Sequence, residues 1–364
     1  MGWDDWRTTR MTDVAPDEPG HTIHAYFNAA PESVDGRWLL YARSQQADAQ
    51  RVDVCLRSRA DGSLRVLEAG VDCEDAHRVA CQHWAGDGQV VWHRLRGGRF
   101  EVRAADAATG ETRQLAADRL LGWGYPGLDT VPLYGAHWDA AAPRDLLLAD
   151  LRTGECRVAL TVARLREFAA TWLDATFGAG APVSIFFPIL SPDGRRVMFK
   201  VACPRGGEMR SSQASHRTGL FVWDLAADRL LWQIESWGHP AWSPDSQAIV
   251  NVQNLLVDAA DGATRQLDGV PAWPGSHPAW HPDGDLYVTD TQLERFGSPA
   301  GWWGVALVRR DGGGYRILQR FNQNGGASSW RIPHPHPIFS ADGQRIYVNV
   351  NRGPHTRLHV IEPA

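Results

Sequence analysis

A short phrase built around an Asp-Gly turn recurs along the chain and constrains the fold more than any other feature. In each copy, Asp-Gly (once Asp-Ser) precedes a run of β-branched, aromatic and other apolar residues. Such a pair tolerates the positive φ of a tight turn, so each copy predicts a β-hairpin. The copies are SVDGRWLLY (33–41), AGDGQVVWH (85–93), SPDGRRVMF (191–199), SPDSQAIV (243–250), HPDGDLYV (281–288) and SADGQRIYV (340–348).

The spacing of these copies divides the chain into units of similar length. The turn aspartates lie 52, 106, 52, 38 and 59 residues apart, and the 106-residue gap holds two periods, with the segment 134–155 in place of the missing copy. A second phrase, a strand followed by Asp-x-x-Thr/Asp-Gly, closes three units at 105–115, 149–160 and 257–267. Repeats of about 50 residues, each with four strands, are typical of propeller blades.

The repeat therefore predicts an all-β fold, a seven-bladed β-propeller with four-stranded antiparallel blades. We expect a single domain over residues 1–364, in which about residues 1–20 close the ring with the last blade. Only the segment 162–177 has a helical pattern, and it predicts a helical insertion. An irregular β-sandwich is the alternative architecture.

Composition excludes several classes of partner. The net charge of −5 and the pI near 6.3 show no basic excess, which argues against a general nucleic-acid binder. No apolar run approaches the roughly 18 residues that span a membrane. The five cysteines lack CxxC spacing and no secretory signal is visible, so we expect reduced thiols in a cytoplasmic protein. A secreted form that has lost its signal stays open, and we expect a monomer or a small homo-oligomer.

Three histidines occupy the same position relative to the turn. His239, His277 and His336 each lie six residues before a turn aspartate. In a propeller the strand ahead of this turn is the innermost, so its first residue lies at the rim of the central channel. His334, two residues before His336, can face the same side because strand side chains alternate. Clustered imidazoles suit metal binding or proton transfer. The alternative is a structural role, in which His-Pro is a favourable dipeptide at the start of a strand and the imidazole caps a backbone group.

The segments that contain these histidines resemble β-propeller uronate lyases, above all the oligogalacturonate lyases and more distantly the ulvan lyases. The resemblance rests on GHPAWSPD (238–245), SHPAWHPDGDLYVTDT (276–291), SHRTGLFVWD (215–224) and HPHPIFSADGQRIYVNVNRGPHTRLHVI (334–361). It implies an enzyme that removes the C5 proton of a uronate and expels the oxygen on C4. It also implies an acidic oligosaccharide as substrate, and a manganese ion held by three His and a Gln.

The resemblance assigns the catalytic roles residue by residue. The C5 proton is weakly acidic beside an anionic carboxylate, so such an enzyme needs a base and a cation that neutralises the carboxylate. His239 matches the base and Arg217 matches the neutralising arginine. His216, next to Arg217, is a further catalytic candidate.

The metal site departs from the family pattern in one ligand. His277, His334 and His336 match the metal histidines, but in SSWRIPHPH the residue near the register of the family's Gln is Arg331 or Trp330, and the nearest Gln is Gln323. Manganese is the first expectation, with zinc or calcium as alternatives. Arg331 could instead replace the metal as a bidentate clamp on the substrate carboxylate.

Other residues are candidates for contacting the sugar. Trp302 and Trp303, expected in the loop SPAGWWG, could stack on sugar rings. A second acid/base set, similar in type to the His/Tyr pairs of ulvan lyases, could come from Tyr125, Tyr134, His83 and His137. A structural role is the alternative for each of them.

Two other functions remain open at the level of sequence, since propellers host many. The chain could bind acidic sugars without catalysis, or serve as a protein-interaction platform. A hydrolase would need two carboxylates flanking the bond, and no such pair is evident.

Overall fold

The computed structural model describes residues 1–74, 76–272, 277–323 and 334–364, which form 28 β-strands, one α-helix and three short 3-10 helices. In chain order the first strands are β1 (Thr9–Asp13), β2 (His21–Ile23), β3 (Trp38–Ser44), β4 (Arg51–Ser58), β5 (Leu64–Asp72), β6 (His83–Ala85), β7 (Gln89–Arg96), β8 (Arg99–Asp106), β9 (Thr112–Ala117), β10 (Leu120–Leu121), β11 (Thr130–Tyr134), β12 (Leu146–Asp150), β13 (Cys156–Leu160) and β14 (Ser184–Leu190). They continue with β15 (Arg196–Pro204), β16 (Ser215–Asp224), β17 (Arg229–Ile234), β18 (Ala241–Trp242), β19 (Ala248–Asn251), β20 (Leu255–Asp258), β21 (Thr264–Gln266), β22 (Ala279–Trp280), β23 (Leu286–Gln292), β24 (Trp302–Arg309), β25 (Tyr315–Asn322), β26 (Ile338–Phe339), β27 (Ile346–Arg352) and β28 (His355–Pro363). The helix α1 spans Val162–Phe177, and the 3-10 helices span Trp3–Trp6, Val252–Asn254 and Glu294–Phe296.

The chain divides into two compact units, and the first contains residues 1–84, 239–258 and 263–364. Its strands pair antiparallel in the orders β2-β3-β4-β5, β18-β19-β20-β21, β22-β23-β24-β25 and β1-β28-β27-β26. The strand β1 is thus the outer strand of the last sheet, with Thr9 opposite Pro363. Tyr41, Val305 and Tyr347 belong to the apolar core of this unit, and each is at most 1% exposed.

The second unit contains residues 85–238 and 259–262. Its strands pair in the orders β7-β8-β9, β10-β11-β12-β13 and β14-β15-β16-β17. The helix α1 follows β13 and begins at Thr161, whose hydroxyl accepts a hydrogen bond from the Arg164 N–H, as an N-cap residue does. Leu165 and Leu173 of the helix pack into the apolar core of this unit.

The repeated turns are built alike. In four of the six, a serine hydroxyl donates to the turn aspartate at 2.5–2.6 Å, and the N–H two residues beyond that aspartate donates to the same carboxylate at 3.0 Å. The residue directly after the turn aspartate has a φ of 59 to 78° in all six turns, which favours glycine. Ser246 is the one residue at this position that is not glycine. These turns join the first strand of a sheet to the second. The first strands β6, β18, β22 and β26 each begin four residues before the turn aspartate.

Replacing Gly343 with alanine is expected to destabilise the protein by about 1 to 3 kcal/mol more than replacing Gly88. Both glycines have a φ near 68°, so both variants acquire the same backbone strain. A Cβ at Gly343 would lie 2.2 Å from Nε2 of His281, a buried ring that packs on Phe339, whereas a Cβ at Gly88 meets nothing within 4 Å. Urea unfolding of the two variants measures the difference. Equal losses would mean that the His281 ring moves aside freely.

The structure confirms the all-β class, the four-stranded antiparallel sheets and the helix at 162–177. The second phrase of the repeat forms the outer strand pairs β8–β9, β12–β13 and β20–β21. Residues 120–160, which lack the turn signature, still form a four-stranded sheet. The five cysteines are free, and three are buried. In the described part of the chain, no helix has the length and apolar character needed to cross a membrane.

Candidate metal centre

Four imidazoles of the first unit converge on one point. One ring nitrogen from each of His77, His277, His334 and His336 lies within 4.8 Å of the other three. Nδ1 of His334 is 3.4 Å from Nε2 of His277. The rings of His77 and His336 are 4.6 Å apart between centroids, and those of His277 and His336 are 4.5 Å apart. Nitrogen atoms at this spacing can share one bound cation.

The three histidines that the repeat predicts to be equivalent occupy equivalent positions in the structure. His239, His277 and His336 each stand two residues ahead of the first strand of a sheet, which is β18, β22 and β26 respectively. A proline follows each histidine and precedes the strand. The ring of His239 lies 4.3 Å from that of His277, so neighbouring sheets bring their equivalent histidines together.

The buried carboxylate of Asp290 orients two of the four histidines through hydrogen bonds. Oδ1 of Asp290 accepts hydrogen bonds from the backbone N–H and from Nδ1 of His277, both at 2.9 Å. Its Oδ2 accepts the backbone N–H of His336 at 3.1 Å. Asp290 is fully buried in β23. A carboxylate on Nδ1 fixes the proton there and leaves Nε2 of His277 as a ligand atom, as in carboxylate–histidine–metal arrangements.

His336 is held in a strained and unsatisfied state. Its φ is 47°, in the left-handed region that a residue between two prolines rarely adopts. The ring is fully buried, and neither nitrogen makes a hydrogen bond to a described residue. Burial, and then the neighbouring histidines, hold its pKa well below the usual value, so the ring is neutral. A neutral imidazole with an unused lone pair is the form that binds a metal ion.

Aromatic side chains surround the imidazoles. The ring of Tyr26 lies 4.7 Å from that of His336, and the ring of Phe27 lies 5.3 Å from that of His277. Trp303 packs 5.4 Å from His334. These rings exclude water from one side of the cluster, which strengthens electrostatic interactions within it.

Exposure separates the histidines into two groups. His77, His277 and His336 are fully buried, whereas His239 and His334 are partly exposed. The backbone N–H of His239 donates to the Asn251 side chain at 2.9 Å, which orients the residue without using its ring. A metal ligand can be buried, but a base must reach its substrate, so the exposure of His239 suits proton transfer.

The residues present fit a divalent metal. The two nitrogens of His336 have no hydrogen-bond partner among the described residues, and four rings converge on one point; both are properties of a ligand set. Imidazole nitrogen suits zinc, iron, nickel and copper, whereas calcium prefers oxygen ligands. The donor set therefore favours a first-row transition metal over calcium.

Arg217, His216 and Tyr125 lie in the second unit. Arg217 is on β16, with its guanidinium carbon 5.7 Å from the centre of the Phe186 ring. His216 packs on Phe177, and its pKa is lowered by burial and then by Arg205. Tyr125 is half-buried, and burial raises the pKa of its hydroxyl.

The other predicted sugar contacts have different surroundings from those expected. His83 is buried in β6, its Nδ1 lies 2.8 Å from the Cys81 carbonyl, and burial lowers its pKa to about 4. Trp302 and Trp303 begin the strand β24 and do not lie in a loop; Trp303 is part of the core. Arg331 lies outside the described residues.

Sequence reasoning missed His77 and Asp290. His77 lies in a turn ahead of β6, out of register with the other histidines, so an alignment on the turn aspartates does not select it. Asp290 could have been found, because a carboxylate inside the strand LYVTDTQ needs a buried partner.

Comparison with known proteins supports the fold. No protein-family description matches the sequence. No curated protein matches it either. A structure of oligogalacturonate lyase in complex with manganese matches with a TM-score of 0.64 and 18% identity, over 97% of this chain and 93% of that one. Oligogalacturonate lyase from Vibrio parahaemolyticus matches with a TM-score of 0.65 and 14% identity, over 98% and 97%.

A chain of the mitotic checkpoint complex also matches, with a TM-score of 0.56 and 13% identity, over 97% of this chain and 90% of that one. At such identities the similarity concerns the fold, which proteins of unrelated function share. The chain therefore has the fold of the oligogalacturonate lyases, the family that its histidine-containing segments resemble.

Proposed function

We propose that this protein is a metal-dependent lyase that cleaves uronate-containing oligosaccharides by β-elimination. The observation that carries the proposal is the cluster of four converging imidazoles with a fifth, the partly exposed His239, 4.3 Å from His277. The chain shares its fold with oligogalacturonate lyases, one of which was solved in complex with manganese. A cluster built only for stability would gain little from several imidazoles facing one another.

The architecture that we propose is a single seven-bladed propeller formed by residues 1–364. The recurring turns, the four-stranded antiparallel sheets and the propeller-like fold of the similar structures support it. The pairing of β1 with β28 supports ring closure by the N-terminal segment. A cytoplasmic location and a monomeric or small homo-oligomeric state belong to the same proposal.

His77, His277, His334 and His336 would hold the metal. When bound, the ion supplies positive charge that stabilises the substrate carboxylate as negative charge grows at C5. With its Nδ1 proton held by Asp290, His277 would bind the ion through its other ring nitrogen. Manganese is supported by the similar structure, whereas zinc is supported by the all-imidazole donor set.

His239 would act as the base. Its ring takes the proton from C5, the C5–H electron pair becomes the C4–C5 double bond, and the C4–O bond breaks. The departing oxygen takes up a proton from solvent and His239 releases its own to solvent, so the glycan is cleaved without addition of water. Arg217 as the carboxylate-neutralising residue rests on the resemblance, and His216 is a candidate because it is next to Arg217. Sugar contacts by Arg331, Trp302, Trp303, Tyr125 and His83 stay predictions from the sequence.

The purified protein is expected to contain about one metal ion per chain and to form an unsaturated product from at least one uronate oligosaccharide. The test combines elemental analysis with ultraviolet absorbance of the conjugated product over a panel of pectic, ulvan-type and glucuronate-bearing substrates. Chelation should abolish the signal, and one metal of a manganese and zinc series should restore it.

Two results would contradict this proposal. Acidic oligosaccharides that bind without any unsaturated product, with every metal tested, would select a sugar-binding protein instead. Full activity after complete removal of the metal would show that the ion has no role in the reaction.

A further inference from the structure

A pocket of about 560 Å³ in the second unit has no part in the proposed lyase reaction. Its walls are the end of the hairpin β7–β8, the link from β9 to β10, and the loop between β11 and β12. Sites for small molecules usually have volumes of about 300 to 1,000 Å³. None of the residues assigned above to the metal, the base or the sugar lines this pocket. Its lining therefore calls for a ligand of its own.

The loop between β11 and β12 is closed tightly on itself. A Cβ on Gly135 would lie 1.7 Å from the carbonyl oxygen of Pro143, so only glycine lets the two ends of the loop meet. Between them, Oδ1 of Asp139 accepts a hydrogen bond from the Ala141 N–H at 2.8 Å, a contact typical of a turn that begins with Asp. These contacts fix the positions of Trp138 and Asp139 in the pocket wall.

Trp138 contributes a ring that is both apolar and a hydrogen-bond donor. The ring is half-exposed and packs against Phe100 and His137, at 5.7 and 4.8 Å between centroids. Its indole N–H makes no hydrogen bond to a described residue. Other apolar side chains that line the pocket are Leu95, Leu120 and Met209. The pocket thus combines an apolar surface with an open donor.

The charged groups of the pocket leave one carboxylate without a cation. Arg99 donates to both carboxylate oxygens of Asp118, and this contact holds the pKa of the Asp118 carboxyl below its usual value. Oδ2 of Asp139 has no partner among the described residues, and Nη1 of Arg99 has none either. With two carboxylates and one guanidinium, the lining is negatively charged. It still offers both donors and acceptors to a ligand.

The chemistry of this lining excludes two classes of ligand. A uronate would be repelled by the Asp139 carboxylate. An alkylammonium ion would be attracted to that carboxylate, but it has only donors and would leave the Trp138 N–H unpaired. A neutral pyranose has an apolar C–H face that can pack on an indole, and hydroxyls that both donate and accept hydrogen bonds. The neutral sugar is the ligand that uses every group of the pocket.

We infer that this pocket binds a neutral sugar residue, with the pyranose ring packed on Trp138 and its hydroxyls bound by Asp139 and Arg99. The inference goes beyond the proposed function and does not require lyase activity, because it rests on contacts within the second unit. The closed loop positions the indole and the carboxylate before a ligand arrives, which lowers the entropy lost on binding.

A fluorine label on tryptophan provides a reporter inside the pocket. The chain has 17 tryptophans, and in protein labelled with 5-fluorotryptophan the ¹⁹F signal that is missing from Trp138→Phe belongs to Trp138. The probes are β-1,4-galactobiose, cellobiose and maltose, which have no carboxylate and cannot undergo uronate elimination. We expect the Trp138 signal to shift in a saturable manner with at least one of them, and to stay in place with choline.

Two substitutions and a matched control test the assigned contacts. Trp138→Ala is expected to weaken binding of the responding disaccharide by at least about 10-fold, as loss of a stacked ring does. Trp38→Ala is the control, because Trp38 is also half-exposed but lies on β3 in the first unit, and it should bind as the parent does. Calorimetry measures both affinities, and thermal unfolding shows whether each variant is folded.

Asp139→Asn tests the preference for a neutral ligand. Asparagine keeps an acceptor for the Ala141 N–H but removes the charge. The parent should prefer galactose to galacturonate, two monosaccharides that a lyase cannot cleave. The substitution should reduce that preference by about 3- to 10-fold, because the repulsion of the carboxylate is lost. Titrations that follow the Trp138 signal measure the preference in both proteins.

The outcomes separate this inference from the lyase proposal. A saturable shift of the Trp138 signal in a protein that never forms an unsaturated product would support the sugar site and reject the lyase. A Trp138 signal that responds to none of the neutral probes, or an affinity that is the same in Trp138→Ala, would overturn the inference while the lyase stands. A stronger response to choline or to galacturonate than to the neutral sugars would also overturn it.

Discussion

Replacing His239 with alanine is expected to lower turnover of the uronate substrate by about 10² to 10⁴-fold, the usual contribution of a general base. The metal content should remain that of the parent protein, because the four converging nitrogens come from other histidines. The His239 backbone bond to Asn251 does not involve the imidazole, so the local structure should also persist. Steady-state kinetics and elemental analysis of the same preparation give both values.

His359→Ala is a matched control for this variant. His359 lies on β28, is partly exposed like His239, and is not among the four converging histidines. Its replacement should leave turnover unchanged. Normal turnover in His239→Ala would assign the proton transfer to another group, and loss of metal together with activity would make His239 a ligand.

Replacing Asp290 with alanine is expected to destabilise the protein by about 3 to 5 kcal/mol, because three buried donors lose their acceptor at once. These donors are the backbone N–H groups of His277 and His336 and the Nδ1–H of His277. The affinity for the metal should fall by about 10- to 100-fold, as when other carboxylates behind a ligating histidine are removed. Chemical unfolding and competition with a chelator measure the two effects.

Two further variants show which part of the carboxylate matters. Asp290→Asn keeps the shape and one acceptor oxygen, so its loss of stability should be intermediate, because its amide would face a backbone donor. Asn251→Ala removes the corresponding contact to the backbone of His239, which is not one of the four converging histidines, and should leave metal affinity intact. If Asp290→Ala bound metal as tightly as the parent, the carboxylate would have only a folding role.

The sequence predicts well what the repeat determines. In the sheets that begin with β18, β22 and β26 the first strand begins four residues before the turn aspartate, so the position six residues before that aspartate predicts His239, His277 and His336 as equivalent residues. The same periodicity located the outer strand pairs and even the unit without its signature. These features depend on local backbone conformation, which the residues of a turn encode directly.

Sequence reasoning fails where tertiary packing decides. His77 reaches the cluster from a turn with no periodic pattern, and Trp303 becomes strand and core although Gly and Pro around it favour a loop. Contacts between residues distant in sequence cannot be obtained from local propensity.

The antiparallel pairing of β1 with β28 affects the order in which the histidine cluster is assembled during folding. The ion pair between Asp13 and Arg357 joins residues 344 positions apart, and contacts of such separation form late in folding. His334 and His336 lie 257 and 259 residues after His77 in the sequence. A chain shortened before residue 334 would therefore lack half of the four imidazoles. We expect the ion to bind only when this second pair is present, so a shortened chain would not sequester it.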